Sequence, residues 1–171
     1  MNVIDPIRAE FTKEAGLTRQ VLERVPADKF EWQPHAKSMT LGRLASHVAE
    51  IPGWAKMIIA DDELRFSPES FKPRIAASAK ELLEIHDQAV AESTSVLDGV
   101  TDEVLGKTWT MYVMDNPVVQ GPKLEVLREW TMNHLVHHRG QLTVYLRLLD
   151  VPLPGIYGPT ADSQSPMQQP S

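Results

Sequence analysis

Two histidines in the last long apolar segment of the chain have the spacing of a metal site. His134 and His138 are four residues apart, so in a helix they project from the same face, one turn from each other. Two imidazoles presented in this way form half of a site for a divalent cation. A third ligand from another helix would complete an open site, with coordination positions left for water or a substrate.

His47 is the third ligand that the sequence favours. On a helical wheel with His47 as zero, Leu44, Ile51 and Trp54 lie within about 60° of it, so its imidazole points into the packed face. A buried histidine is also commonly a core residue that is hydrogen-bonded to a neighbour. A polar core patch without metal therefore stays open as an alternative.

Two other polar residues are candidates for assisting chemistry at these histidines. Gln141 lies close to His138 on the same stripe and could orient a ligand or bind a water held by the metal. Glu50 lies about 60° from His47 on the helical wheel and could accept an imidazole N–H or act as a base, although a solvated glutamate is the commoner case.

The remaining histidines and a nearby arginine are weaker candidates for the site. His86 lies on the apolar stripe of its own predicted helix and faces inward. His137 is at the edge of the histidine stripe, and His35 follows a proline in a polar loop. Arg139 projects nearly opposite the site, which favours a salt bridge or a dimer contact.

Four long amphipathic segments must position these residues, at about 5–25, 40–60, 75–97 and 122–149. Asp5 is a favoured N-cap for the first, and Ser38 or Thr40 for the second. Pro52 lies inside the second segment and predicts a kink. The pattern favours an all-α four-helix bundle with a short irregular or extended segment around 106–118. Residues 1–162 are predicted to form one domain and 163–171 a disordered tail.

Composition excludes several classes of function. The 171 residues contain no cysteine, which rules out disulfides, thiolate ligands and a cysteine nucleophile. A net charge of −6 argues against binding nucleic acid, which requires clustered Lys and Arg. Residues 1–10 lack the apolar run of a secretory signal, and no stretch is long enough to span a membrane. We therefore expect a cytoplasmic protein with no membrane or nucleic-acid partner.

Three stretches of the sequence resemble the DinB/YfiT-like family of metal-binding helical bundles. They are residues 41–54 (LGRLASHVAEIPGW), 133–141 (NHLVHHRGQ) and 154–162 (PGIYGPTAD). The resemblance spans nearly the whole chain. It implies a four-helix bundle of up-down-down-up topology that is often a homodimer. It also implies a zinc or nickel ion on a histidine triad that matches His47, His134 and His138.

The resemblance also implies that the metal activates a low-molecular-weight thiol for transfer or isomerisation, and some relatives are described as hydrolases. Three functions are therefore carried forward. The first is a metal-dependent enzyme that transfers a thiol to a small-molecule substrate. The second is a metal-dependent hydrolase that uses metal-bound hydroxide, assisted by Gln141 or Glu50. The third is a non-catalytic, stress-related protein whose metal is structural.

Overall fold

The computed structural model describes residues 3–67, 69 and 72–163. Most of the predicted tail, residues 164–171, therefore lies outside the described residues. The first four helices are α1 (Ile4–Leu22), α2 (Leu41–Glu50), α3 (Trp54–Ala60) and α4 (Ala79–Gly99). Two short helices follow, α5 (Asp102–Gly106) and α6 (Lys123–Val126), and then a π-helical segment (Leu127–Asn133) that leads into α7 (His134–Leu148).

Side-chain caps determine where two of the long helices begin. The Thr40 hydroxyl accepts a hydrogen bond from the Arg43 amide, which confirms one of the two predicted caps of α2. The prediction for α4 was wrong by four residues, because Ser78 accepts from the Glu81 amide and starts the helix at Ala79. A capping serine satisfies an amide that has no partner within the helix.

The predicted N-cap of α1 was also wrong. The helix begins at Ile4, and Val3 occupies the cap position without a side-chain hydrogen bond. Asp5 instead lies within the first turn, where its carboxylate pairs with Arg8. A negative charge there is still favourable, because amide N–H groups at a helix N-terminus carry partial positive charge.

Pro52 divides the second predicted helix into two. The chain passes from α2 through a 3-10 turn (Ile51–Gly53) into α3, because proline cannot donate the backbone hydrogen bond that an α-helix needs. The Ser93 hydroxyl, from α4, donates to the Pro52 carbonyl at 2.7 Å and accepts from the Lys56 amide at 3.2 Å. The predicted kink is therefore a helix break that a buried serine bridges.

A small three-stranded sheet covers one side of the helices. The strands are β1 (Glu63–Phe66), β2 (Thr108–Val113) and β3 (Asn116–Pro122). β2 is central, parallel to β1 and antiparallel to β3. The extended segment predicted around 106–118 is confirmed as β2. The helical pattern did not predict β1, and a turn at Met114–Asp115, where Met114 has a φ of 56°, joins β2 to β3.

Lys123, a buried charged residue, holds the sheet against the helices. Its side chain is 2% exposed, and its ammonium donates to the carbonyls of Ile59 and Asp61 at 3.0 and 2.6 Å. Its third contact is an ion pair with Asp62 at 2.8 Å. A lysine ammonium has three N–H donors, so this buried cation is fully satisfied where α3 ends and β1 is about to start.

The fold is therefore mostly helical, with a small sheet added to it. The predicted all-α bundle of four helices is confirmed only at this coarser level, because Pro52 splits one helix and short helices and strands follow α4. The up-down-down-up topology stays a prediction. Within the described part of the chain, no helix is both long and apolar enough to cross a bilayer.

Candidate metal centre

The fold brings together the three histidines that the sequence predicted as ligands. His47 lies in the last turn of α2, and His134 and His138 lie in the first turns of α7. One ring nitrogen from each lies within 4.8 Å of the other two. The Nε2 atoms of His47 and His134 are 3.2 Å apart, so the three imidazoles converge on one point between two helices.

These separations fit a bound metal ion. Nitrogens bound to one tetrahedral zinc at 2.0–2.1 Å lie about 3.3 Å from each other, close to the distance between the Nε2 atoms of His47 and His134. The donor set consists of imidazoles alone, which suits zinc, nickel, copper or iron. Among the described residues, this triad is the group of histidines and acids that could hold a metal ion.

Burial keeps the triad in the neutral form that binds metals. The pKa of His47 is lowered to about 3 and that of His134 to about 4, and the largest cause in both is the loss of hydration on burial. Burial also lowers the pKa of His138, against the opposing effect of its hydrogen bond to Gln141. A lowered pKa disfavours the imidazolium, so the nitrogen lone pairs remain available at neutral pH.

The two polar residues predicted to assist the site lie in different surroundings. The Gln141 carbonyl oxygen is 2.7 Å from Nδ1 of His138. Because that oxygen can only accept, Nδ1 carries the proton and Nε2 is left with a lone pair for a cation. Glu50 is half-buried, and burial raises its pKa against the opposing charges of Arg43 and Arg74. It makes no hydrogen bond to the triad among the described residues.

Arg43 is a neighbour of the site that the sequence reasoning missed. It lies one turn before His47 on α2, and its positive charge contributes to the lowered pKa of both His47 and His138. Its Nη1 is buried and has no hydrogen-bond partner within the described residues. The i, i+4 spacing from His47 was the signal that could have found it.

Arg139, next to His138 in the chain, forms the predicted salt bridge within the molecule. Its guanidinium is buried and donates to the Glu14 carboxylate at 2.6 Å and to the Thr18 hydroxyl at 3.2 Å. It also donates to the Tyr157 hydroxyl, which in turn donates to Glu14. Because this network ties one side of α7 to α1, it turns the opposite side, with His134 and His138, toward α2.

An apolar cavity of about 440 Å³ opens beside His47. Its helical walls include Trp54, Ile58 and Trp130, and its sheet walls include Leu64, Trp109 and Met111. Two of the indoles also contact the triad: the ring centroid of Trp54 is 5.0 Å from that of His134, and Trp130 stacks on His134 at 6.0 Å. The sequence could not predict this cavity, because half of its lining comes from the unpredicted sheet.

A second, more polar cleft of about 420 Å³ lies on the His138 side of the triad. Lys37, Ser38 and Gln141 line it together with apolar side chains that include Leu44 and Tyr145. The triad is therefore bordered by two spaces of different character, one apolar and one polar.

The other histidines do not join the triad. His86 is 1% exposed and lies beside Asp87, its pKa lowered by burial and its Nε2 unpartnered in the described chain. His35 is exposed in the loop before α2, where its Nδ1 accepts from the Lys37 amide. The exposed His137 contacts His138 with ring centroids 4.9 Å apart.

Fold and site together describe a helical domain whose interior carries a histidine triad that could hold a metal ion. The chain belongs to the DinB family, whose family model matches residues 3–169. The resemblance drawn from the three sequence stretches is thereby confirmed.

Relatives from Bacillus support this membership. The uncharacterized protein YrdA of Bacillus subtilis is 26% identical over 163 residues, which is 93% of this chain and 90% of that protein. A crystal structure of the DinB-like protein YjoA of Bacillus subtilis matches with a TM-score of 0.68 at 19% identity, over 91% of this chain and 100% of that one. A DinB-like protein from Bacillus cereus matches with a TM-score of 0.65 at 23% identity, over 85% and 92%. The two structures show the same fold.

Proposed function

We propose that this protein is a metal-dependent enzyme that activates a low-molecular-weight thiol and transfers it to a small-molecule electrophile. His47, His134 and His138 hold the metal, zinc or nickel. The observation that carries the proposal is the convergence of three neutral imidazoles at a point bordered by both an apolar cavity and a polar cleft. Three protein ligands leave room for a substrate atom, as in catalytic sites.

The residues of the chain prepare the site for this chemistry. A divalent metal with three neutral ligands lowers the pKa of a coordinated thiol or water. Gln141 holds His138 with its Nδ1 protonated and its Nε2 free. The indoles of Trp54 and Trp130 lie against His134 and make that side of the site apolar, which strengthens electrostatic interactions there.

The proposed transfer conserves atoms and charge. The thiol loses its proton to water in the polar cleft, and its sulfur forms a bond to the electrophilic carbon. The bond to the leaving group breaks, and that group departs with the bonding electrons. Because the chain has no cysteine, the electrophile finds no competing thiol on the protein.

A metal-dependent hydrolase is the second candidate, and Glu50 is the observation that favours it. Burial raises the pKa of this carboxyl group, which brings it nearer to the value of an effective general base. Glu50 lies one turn after His47 on α2, where it could accept a proton from water. The third candidate, a structural metal in a non-catalytic protein, predicts that metal removal unfolds the chain.

A thiol-transfer assay on untagged protein reconstituted with zinc or nickel tests the proposal. The loss of free thiol is followed with an aryl halide and, in turn, glutathione, bacillithiol or mycothiol. We expect turnover with at least one thiol and its loss in His138→Ala, whereas His35→Ala, the same change at an exposed loop histidine, should have no effect. Equal rates in both variants would contradict the proposal, and ester hydrolysis without thiol consumption would favour the hydrolase.

Two further expectations stay proposals. We expect the protein to act in the cytoplasm and to form a homodimer. Sedimentation analysis would measure the oligomeric state directly.

A further inference from the structure

We propose that the apolar cavity beside His47 binds the uncharged aromatic body of the electrophilic substrate, while the polar cleft beside His138 receives the thiol. This assignment rests on the proposed function in one respect, that the substrate bound in the cavity is an electrophile. The binding of an uncharged ring by the cavity can, however, be tested without metal and without turnover.

The dimensions of the cavity suit a small organic molecule. Its volume of about 440 Å³ lies within the range of roughly 300–1,000 Å³ that is usual for small-molecule sites. It is bounded by helices on one side and by the sheet on the other. His47 lines the cavity, which places a bound ligand next to the triad.

The lining selects against charge. None of the residues that line the cavity is an Asp, Glu, Lys or Arg. In the metal-free protein, a charged group that entered would therefore lose its hydration without gaining a counter-ion, which is costly. The cavity therefore favours the uncharged portion of a substrate.

The walls favour a flat ring in particular. Trp54, Trp109 and Trp130 supply indole surfaces from two helical segments and the central strand, and aromatic rings gain from stacked or edge-on contacts with such surfaces. Trp109 is 2% exposed, and its Nε1 has no hydrogen-bond partner within the described chain.

The polar cleft, unlike the apolar cavity, has the polar lining that a hydrophilic thiol requires. Lys37, Ser38 and Gln141 line it, so it offers a cation and hydrogen-bonding groups to a polar, water-soluble thiol. His138 borders this cleft and His47 borders the cavity. The two substrates would therefore approach the triad through separate cavities, which prevents either from occupying the place of the other.

A pair of probes with the same ring tests the cavity. The binding of 1-naphthol, which is uncharged at pH 7, is compared with that of naphthalene-1-sulfonate by equilibrium dialysis, with zinc and after chelation. We expect 1-naphthol to bind in both conditions and, after chelation, the sulfonate to bind at least about tenfold more weakly. Equal binding of the two probes after chelation, or no binding of 1-naphthol, would overturn the proposal.

Two matched substitutions on the sheet locate the probe. Val113→Phe adds a ring inside the cavity, whereas Val118→Phe adds the same ring on β3 at a residue that is 52% exposed and does not line the cavity. We expect only Val113→Phe to weaken the binding of 1-naphthol, by about fivefold or more. An equal effect of both, or binding that is lost on chelation, would place the ring elsewhere and overturn the proposal.

The outcomes separate this inference from the proposed function. Binding of 1-naphthol without thiol transfer would leave the cavity assignment of an uncharged ring intact and remove the transferase. Thiol transfer without 1-naphthol binding would keep the transferase and remove the cavity assignment.

Discussion

The protonation state of the triad determines how well a metal competes with protons. Burial lowers the pKa of His47 to about 3 and of His134 to about 4, and it also lowers the pKa of His138. A ligand whose pKa lies below the working pH has no proton to lose before it binds a cation. Acidification below the ordinary histidine pKa should therefore reduce the metal affinity of this site only slightly.

The affinity for zinc should change by less than about tenfold between pH 7.0 and 5.5. Three imidazoles with the ordinary pKa near 6.5 would lose several hundredfold over the same interval, because all three would take up protons. Isothermal titration calorimetry at both pH values measures the change. A loss of a hundredfold or more would show that the imidazoles are not held neutral.

Gln141 gives a second prediction for a single residue. Gln141→Met removes the oxygen that accepts from Nδ1 of His138 and should weaken zinc binding by about 10–100-fold, as is usual when a partner of a metal ligand is lost. Gln141→Glu keeps an acceptor at this position and should bind zinc at least as well as the parent. Full affinity in Gln141→Met would show that the hydrogen bond does not orient the ligand.

Individual helices depend on buried polar groups for their placement. The ion pair of Arg139 with Glu14 joins α7 to α1, and both side chains are almost completely buried. Ser93 bridges the break between α2 and α3. Each contact lies outside the triad but fixes an element that carries part of the site.

Arg139→Met should lower the free energy of unfolding by about 3–5 kcal/mol, because it leaves the Glu14 carboxylate buried without its cation. Arg19→Met is the matched control, since Arg19 pairs with Glu23 and Asp87 at the surface, where an ion pair contributes little to stability. Urea denaturation measures both variants. Similar losses would contradict the structural role of the buried pair.

Ser93→Ala should lower the free energy of unfolding by about 1–3 kcal/mol, since the Pro52 carbonyl and the Lys56 amide both lose a buried partner. Ser95→Ala, on the exposed face of the same helix, should change it little. Thermal unfolding of the two variants compares them under identical conditions. A neutral Ser93→Ala would mean that the helix break is stabilised by other contacts.

At the scale of the whole molecule, local sequence signals predicted the triad but not its surroundings. The spacing of His134 and His138 and the apolar face around His47 follow from helical periodicity, so the triad could be proposed before its geometry was known. The cavity depends on β1 pairing in parallel with β2, which lies far along the chain. A four-residue strand with a long crossover has no local signature.

The helix ends show the same division between local and long-range information. Thr40 could be recognised as a cap because its hydrogen bond to Arg43 is local. The start of α4 was placed too early because Ile75 fits the apolar stripe, yet it is 51% exposed. Periodicity describes which residues match one face but does not show where the backbone leaves the helix.

Metal content of untagged protein, measured by elemental analysis against protein concentration, tests the central claim most directly. About one equivalent of zinc or nickel per chain in the parent protein and in His35→Ala, and its loss in His47→Ala and His138→Ala, is the result we predict. Protein that holds no metal and takes up none on incubation, or a His138→Ala variant with full metal content, would contradict the assignment of the triad.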